Sequence, residues 1–227
     1  MKKYGQYCPI AQSVEVLGER WSILVLRDLL IGSTRFNDLA RGLPGMSRTM
    51  LSKRLSQFEA AGLLERLDGE YHLTPAGQDL RPFVFGLGGW GEKWLLGEPD
   101  PEELDPLSLM WHAHARFDTS ELPARRVVLA FEFDDRSERF WVVVESIGCS
   151  VCAADPGFTV DVVVRSQLAA LYRVWYHQQS IDSAVKAAEI RFEGQAALVR
   201  RMPKVLTLIS PELLGVDSSS PRPVWIS

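Results

Sequence analysis

The chain has 227 residues, of which 46% are hydrophobic and 24% charged, and its formal net charge is −4. Each half can bury a core, no apolar run is long enough to span a membrane, and no cationic leader precedes an apolar stretch, so we expect a soluble, cytoplasmic protein of two domains. Three cysteines, an odd number, fit a reducing compartment better than a disulfide framework.

The chain begins with three predicted helices. Residues 10–17 form a short amphipathic helix, and residues 21–31 are apolar nearly all round, which is typical of a buried central helix. Residues 33–41 form a third helix with Ser33 at its N-cap, because a serine hydroxyl can accept a hydrogen bond from an amide of the first turn.

A fourth predicted helix has two different faces. It follows a glycine- and proline-containing break at residues 42–46, is capped by Ser47 and runs to residue 61, where Gly62 can supply a left-handed cap. Apolar residues recur at i, i+4 and i+7 from Leu51 and are expected to face the core. The opposite face carries hydroxyl and basic groups, namely Thr49, Ser52, Lys53 and Ser56, with Arg48 and Arg54 flanking them. An apolar back and a polar front suit insertion into a DNA major groove.

A short hairpin follows this helix. Residues 63–67 and 71–73 are predicted strands, and Asp68 with Gly69 forms the tight turn between them. Thr74 then caps a new helix, in which the next residue, a proline, takes the first position. The order of helix, break, polar-faced helix and hairpin predicts a mainly α-helical winged helix-turn-helix domain.

A longer predicted helix at residues 79–96 is unusually apolar for a surface helix. Its large side chains are Phe83, Phe85, Leu87, Trp90 and Trp94. Packing inside the domain and an interface between two copies both explain this pattern. We favour a dimer interface made together with the first helix, because two copies can present two recognition helices to two DNA half-sites.

Many short stretches of the first 95 residues resemble the HxlR family of bacterial transcription regulators. In the family's order they are Cys8-Pro9, Leu17-Gly-Glu-Arg-Trp21, Leu26-Arg-Asp-Leu29, Thr34-Arg-Phe-Asn-Asp-Leu39, Pro44-Gly-Met-Ser47, Leu51-Ser-Lys-Arg-Leu55, Gly62-Leu63, Leu73-Thr-Pro-Ala-Gly77 and Trp90-Gly91. The resemblance implies a homodimer that binds operator DNA. The hairpin departs from the family pattern, because it is short and carries Asp68 and Glu70 around a single Arg66, which argues against minor-groove contact.

The predicted contacts with double-stranded DNA concentrate on the fourth helix. Groove contacts are expected from Arg48, Thr49, Ser52 and Lys53, with Ser56 on the same face. Ser47 is expected to bring the helix N-terminus near a phosphate. Neutralisation of phosphates is expected from Arg35, Arg41 and Arg54. Five basic residues against one acid between Thr34 and Ser56 favour this local role despite the negative total charge.

A proline-broken acidic stretch at residues 97–103 marks a domain boundary. We assign residues 1–97 to the DNA-binding and dimerisation domain, 98–104 to a linker and 105–227 to a second domain. In that domain a helix at 106–116 precedes strands at 126–134, 139–146 and 160–165, and helices follow at 168–175, 180–188 and 195–206. Strands followed by helices predict an α+β domain, with a small antiparallel sheet covered by helices.

The second domain resembles the sterol carrier protein fold from about residue 127 to 208. The resemblance rests on Asp161-Val-Val-Val164, the apolar positions from Leu168 to Trp175, Ser180-Ile-Asp-Ser-Ala184 and Ile190-Arg-Phe-Glu-Gly194. It implies an apolar cavity that could hold a small-molecule effector. The candidate lining residues are Trp111, Phe131, Phe133, Trp141, Leu171 and Trp175. The same aromatic residues could instead fill a core without any ligand.

Other chemistry has little support in the sequence. Cys8 begins the first helix and is a candidate oxidant sensor, which gives an alternative: a thiol-based redox regulator whose second domain is a protein-interaction module. Cys149 and Cys152 have the spacing of a redox pair or of half a zinc site, but two buried cysteines are the better interpretation. We expect no metal, no cofactor and no enzymatic activity, because no catalytic constellation or phosphate loop stands out.

Overall fold

The computed structural model describes residues 4–114, 116–146 and 148–207. The contacts between residues divide the chain into two compact units, Met1–Trp90 and Gly91–Ser227. The division falls within the helix Arg81–Trp94, before the acidic stretch that the sequence indicates as a boundary.

The first unit is built from helices and one hairpin. Its elements are α1 (Pro9–Leu17), α2 (Ser22–Leu30), α3 (Phe36–Gly42), α4 (Arg48–Ala60), β1 (Leu64–Leu67), β2 (Glu70–Leu73), α5 (Pro75–Gln78) and α6 (Arg81–Trp94). Apolar residues of α2, α3, α4 and β1 form the core, in which Val25, Leu26, Leu39, Leu55 and Phe58 are buried. This arrangement confirms the predicted winged helix-turn-helix.

Local capping chemistry sets the ends of α4 and α5. The Ser47 hydroxyl accepts a hydrogen bond from the Met50 amide at 3.2 Å, and the Thr74 hydroxyl accepts one from the Gly77 amide at 3.3 Å. Gly62 has a φ of 72°, in the left-handed region that ends α4. These caps are those that the sequence predicted.

The predicted N-cap at Ser33 is wrong. The residue before α3 is Arg35, whose side chain makes no capping bond. Ser33 is buried, and its amide donates to the Asp28 carbonyl at 2.9 Å, beside Gly32 with a φ of 103°. Ser33 therefore closes the C-terminal end of α2, where its backbone satisfies a carbonyl that the helix leaves free.

The wing is an antiparallel pair of short strands, β1 and β2. Asp68 has a φ of 51° and Gly69 a φ of 84°, as a two-residue hairpin turn of the primed type requires. The Tyr71 amide donates to the Thr34 carbonyl at 2.7 Å, so the wing is tied to the residues that precede α3.

The second unit combines a five-stranded sheet with short helices. Its elements are α7 (Pro106–His114), a 3-10 turn (Thr119–Glu121), β3 (Val127–Phe133), β4 (Arg139–Glu145), β5 (Gly148–Cys152), β6 (Val162–Ser166), α8 (Leu168–Trp175), α9 (Ile181–Lys186), β7 (Ile190–Gly194), α10 (Ala196–Val199) and α11 (Met202–Val205). The structure of this unit is a helix followed by a mixed sheet with further helices. The likeness to the sterol carrier protein fold stays a prediction. The end of that likeness at residue 208 and the tail to 227 lie outside the described residues.

The sheet is mixed, which corrects the expected antiparallel sheet. Its strand order is β5-β4-β3-β6-β7, and the central pair β3 and β6 is parallel. Residues 153–161 lead from the edge strand β5 to the far side of β3, where β6 starts in the same direction as β3. Asp161 anchors this start, because its carboxylate accepts a hydrogen bond from the Val128 amide at 2.9 Å.

The strands β3 and β4 are buried on both faces over most of their length. On one face Leu129, Phe131 and Phe133 pack in the main core with helices, as their alternation predicted. On the other face Phe158 and Val160 of the crossover pack against a smaller apolar cluster. Burial on both sides explains why the central strands are almost continuously apolar.

The last predicted helix is two short helices. α10 ends at Val199 and α11 begins at Met202, with Arg200 and Arg201 between them. Pro203 lies in the first turn of α11, a position where its missing amide costs no helical hydrogen bond. The predicted helix at 106–116 ends at His114, and residue 115 lies outside the described residues.

Candidate nucleic-acid interface

The outward face of α4 is polar and accessible. Thr49, Ser52, Lys53 and Ser56 are exposed, together with Ser47 and Arg48 at the start of the helix. Behind them Leu51 and Leu55 are 1% exposed and Phe58 is fully buried. The apolar residues hold the helix against the core, so the hydroxyl and amine groups project away from the domain.

Arg48 is held at the start of α4 by two contacts with α3. Its Nη2 donates to Asn37 Oδ1 at 2.8 Å, and its guanidinium carbon lies 4.8 Å from the centre of the Phe36 ring. Stacking on an aromatic ring orients a guanidinium while its outer edge can still bind a ligand. The first two helices of the motif therefore position this cation together.

Arg54 does not lie on the exposed face, which corrects its expected phosphate role. The residue is 3% exposed, and its Nη1 donates to Gln57 Oε1 at 2.6 Å. Its Nη2 lies 3.5 Å from Glu19 Oε2. Position 54 is i+3 from Leu51, so helical spacing places it beside the core-facing stripe, and that spacing was the signal our sequence interpretation missed.

Two other predicted phosphate ligands are paired with acids of the same unit. Arg41 Nη1 lies 3.2 Å from Asp38 Oδ1, and Arg35 Nε lies 2.9 Å from Glu70 Oε1. The hydrogen bond from Arg35 to Glu70, with their charge attraction, raises the pKa of Arg35. Burial raises the pKa of Asp38, and this effect outweighs the lowering by Arg41 and Arg35.

Lys53 differs from the arginines around it. Within the described ranges its ammonium group makes no hydrogen bond and no ion pair. An unpaired ammonium on an exposed helix can bind a phosphate or a base edge without first breaking an internal contact. Lys53 is therefore a cation of this face whose charge is not engaged by another side chain of the described ranges.

The wing carries an acidic surface. Asp68 lies at the exposed tip, and Glu65 is exposed on β1. The basic side chain of the wing, Arg66, lies 5.5 Å from the centre of the Tyr71 ring. This distribution of charge disfavours contact of the wing with a phosphate backbone, and the absence of minor-groove contact stays a prediction.

The six candidate ligand residues of the second unit do not surround one cavity. Phe131, Phe133, Leu171 and Trp175 belong to the main core, Trp141 belongs to the cluster on the opposite sheet face, and Trp111 lies on α7 beside the His114 ring. The Phe131 ring lies 6.0 Å from Phe117 and 6.2 Å from Trp175. These rings already fill the space between sheet and helices.

A small cavity lies between α7 and α8. Its volume is about 30 Å³, roughly that of one water, and its lining includes His112, Arg116, Tyr172 and Trp175. Ligand pockets for drug-sized molecules are about ten times larger or more. Of the six candidates, Trp175 is the one that reaches it.

The paired cysteines of the second unit lie on opposite faces of β5. Cys149 packs against the main core, whereas Cys152 belongs to the cluster beneath the crossover. A separation of three residues in a strand directs side chains to opposite sides, which prevents joint binding of one ion. Burial raises the pKa of the Cys149 thiol to about 12, so the thiol stays protonated.

Cys8 occupies the position before α1 and is partly exposed. Across residues 4–114, 116–146 and 148–207, no group of three or more His, Cys, Asp or Glu side chains could hold a metal ion. Among the described helices, none combines the length and the apolar character needed to cross a membrane.

Comparison with known proteins agrees with the architecture of the first unit. The model of the family described as HxlR-like helix-turn-helix matches residues 16–99. The HTH-type transcriptional regulator YvaP of Bacillus subtilis is 33% identical over 109 residues, which are 44% of this chain and 97% of the relative. The HTH-type transcriptional regulator Rv3095 of Mycobacterium tuberculosis is 38% identical over 110 residues, or 45% of this chain and 66% of the relative.

Among solved structures, quinone-bound YodB of B. subtilis is 29% identical, covers 38% of this chain and 99% of that chain, and has a TM-score of 0.36. The match to YvaP extends over nearly the whole of that relative, and the family model covers the helices from α2 to α6 together with the wing. The chain belongs to the HxlR-like helix-turn-helix family.

Proposed function

We propose that this chain regulates transcription by binding operator DNA as a homodimer, with α4 of each copy in the major groove. The observation that carries the proposal is the face of α4, where Thr49, Ser52 and Lys53 are exposed over buried leucine and phenylalanine. The relatives named above are transcriptional regulators by name, which supports the same role.

The proposed contacts divide into positioning and reading. Ser47 and the amides at the start of α4 approach a phosphate, where the helix N-terminus favours negative charge. Thr49, Ser52 and Ser56 offer short hydroxyl groups that donate to or accept from base edges, and Lys53 reaches a base or a phosphate. Arg48, already oriented by Phe36, is the remaining groove cation.

The proposed dimer rests on exposed apolar residues of two helices. On α6 the side chains of Phe83, Leu87, Trp90 and Trp94 are exposed by 72%, 53%, 52% and 65%. Their spacing of four, three and four residues places them along one face, as in a helix pair. On α1 Tyr7 and Ile10 are also exposed, by 103% and 74%. Such patches mark interaction sites, and a second copy would cover them.

Selection of bound fragments from random DNA, at two salt concentrations, tests the proposal. We expect an inverted repeat whose half-sites are about one helical turn, roughly 34 Å, apart. Binding without any enriched sequence would overturn the operator function, and a single half-site would overturn the dimer.

The sensing role assigned to the second unit is part of the proposal. An apolar effector would have to displace the packed rings of Phe131 and Trp175, and it would have to prefer one spacing of the two recognition helices. Dodecanoic acid, titrated while tryptophan fluorescence and operator affinity are measured, probes this switch. Binding of the acid with no change of operator affinity would contradict it.

A thiol-based mechanism is the second candidate, with the second unit as a protein-interaction module. Cys8 is partly exposed at the start of α1, a helix without buried residues that we assign to the dimer interface. Oxidation there would change an interface rather than a core. Peroxide treatment of the wild-type chain and of Cys8→Ser, followed by operator binding, separates the two candidates.

A further inference from the structure

Glu70, the first residue of β2, is bonded through both carboxylate oxygens to the segment before α3. Its Oε1 accepts from Arg35 Nε at 2.9 Å, and its Oε2 accepts from the Thr34 hydroxyl at 2.9 Å. Next to it, the Tyr71 amide donates to the Thr34 carbonyl at 2.7 Å. The wing therefore presents a rigidly held carboxylate to the first arginine of the helix-turn-helix.

Arg35 itself lies at the surface. Its side chain is 68% exposed, whereas that of Glu70 is 20% exposed. An arginine so accessible, one residue before a helix of the DNA-binding motif, is placed to meet a phosphate. A carboxylate and a phosphate both accept charge-assisted hydrogen bonds from a guanidinium. The two groups therefore compete for the same donors of Arg35.

The surrounding charges make this competition matter. Arg41 is paired with Asp38, Arg54 is buried beside Glu19, and Lys53 is unpaired within the described part of the chain. With few cations available, one further phosphate contact changes both the affinity and its dependence on salt.

We infer that Glu70 acts as an internal competitor of DNA phosphate for Arg35 and so limits the affinity of the chain for its operator. The inference rests on the proposed DNA binding by the first unit. In the free protein Arg35 is bonded to Glu70. On DNA, Arg35 can neutralise a phosphate fully only if it leaves Glu70.

Glu70→Gln tests the competition, because the amide keeps the size and the acceptor for Thr34 but loses the charge that holds Arg35. We expect roughly fivefold tighter binding to the selected operator, and a plot of log affinity against log salt that is steeper by about one unit. Glu65→Gln is the matched control: it removes the same charge from an exposed site on the same wing, without a bond to Arg35. It should produce a clearly smaller gain.

The Arg35→Ala background shows whether the gain acts through Arg35. There Glu70→Gln should change the affinity no more than Glu65→Gln does. An equal gain with and without Arg35, or no gain beyond the control, overturns the inference and leaves the Arg35–Glu70 contact as a structural link of the wing.

Glu70→Asp keeps the experiment decisive if Glu70→Gln does not fold. The shorter side chain keeps its charge but reaches less far toward Arg35, so a smaller gain in affinity is expected. A folded Glu70→Asp chain that binds as the wild type does would overturn the inference. A wild-type chain that binds no selected duplex at either salt concentration would overturn the proposed function and this inference with it, whereas wild-type binding with no effect at Glu70 overturns this inference alone.

Discussion

Arg54 and Glu19 form an ion pair, with Nη2 and Oε2 3.5 Å apart, that joins the turn after α1 to the middle of α4. The arginine side chain is 4% exposed and the glutamate side chain 47% exposed. Arg54 therefore contributes to the packing of α4 and not to its exposed polar face.

Arg54→Ala should lower the free energy of unfolding, because the buried stem loses its packing and Glu19 loses its partner. We expect about 1–2 kcal/mol, measured by urea denaturation. The salt dependence of operator binding should stay as in the wild type. A slope lower by about one unit would instead assign Arg54 to a phosphate and contradict its buried position.

Lys53→Ala should weaken operator binding and reduce the salt slope by about one unit if its ammonium meets a phosphate. If it meets a base, sequence preference changes at one position of each half-site. Lys186→Ala, at an exposed lysine of the second unit, is the control and should change neither quantity. Wild-type affinity, slope and preference in the Lys53 variant would remove Lys53 from the interface.

Leu87→Glu together with Trp90→Glu should produce monomers, since two carboxylates per copy would be placed in the seam of α6. Sedimentation measures the mass, and operator affinity should fall by roughly 100-fold as the second binding site is lost. Leu67→Glu, at a 50% exposed position of the wing, serves as the control for sedimentation. A double variant that remains dimeric would show that the interface lies elsewhere.

His114 should make stability depend on pH in a predictable direction. The residue is buried, and its Nδ1–H donates to the Trp111 carbonyl at 2.7 Å. Burial lowers its pKa from 6.5 to about 4. Below pH 6.5 the unfolded chain binds a proton that the folded chain refuses, so the free energy of unfolding falls between pH 6.5 and 4, by up to about 3 kcal/mol.

Urea denaturation of the full chain at pH 7.5 and pH 5 measures this loss. His114→Gln should flatten the difference, because glutamine does not titrate, whereas His177→Gln at an exposed site should keep it. If the pH dependence of His114→Gln equals that of the wild type, then folding does not lower the pKa of His114.

Gly77→Ala should destabilise the first unit. A Cβ at this position would lie 2.1 Å from the Leu63 carbonyl oxygen and 2.8 Å from Leu73 Cδ2, so either the helix or the wing must move. We expect a loss of about 1–3 kcal/mol in thermal or urea unfolding. Gly97→Ala, where a Cβ meets no atom within 4 Å, should have little effect. Equal effects at both sites would contradict the close packing of α5 on the wing.

Features set by neighbouring residues could be predicted from the sequence. Ser47 and Thr74 cap helices because their hydroxyls reach amides three residues ahead, and Asp68 with Gly69 turns the chain because both adopt positive φ. The exposed face of α4 follows from helical spacing alone. The N-cap at Ser33 is wrong because a serine can also lie in the turn that ends a helix. Here the Ser33 amide is bonded to the Asp28 carbonyl of α2, and α3 begins only at Phe36.

Features set by distant residues could not be predicted in this way. Glu70 on β2 contacts Arg35, which lies 35 residues earlier in the chain, and β6 pairs with β3 only after the chain has crossed the sheet. Local patterns indicate the strands but not their neighbours, so the parallel pair was missed. Trp141 and Phe131 are both buried aromatics on strands, and only the register of the sheet places them on opposite faces.

Photo-crosslinking from α4 measures whether this helix lies against the bases of the operator. In a Cys8→Ser chain, whose remaining cysteines are mostly buried, Ser52→Cys carries a photoreactive label and is irradiated with the selected operator. We expect a crosslink to a base of each half-site from position 52 and much less from Leu67→Cys on the wing. Crosslinks from the wing alone, with none from position 52, would contradict it.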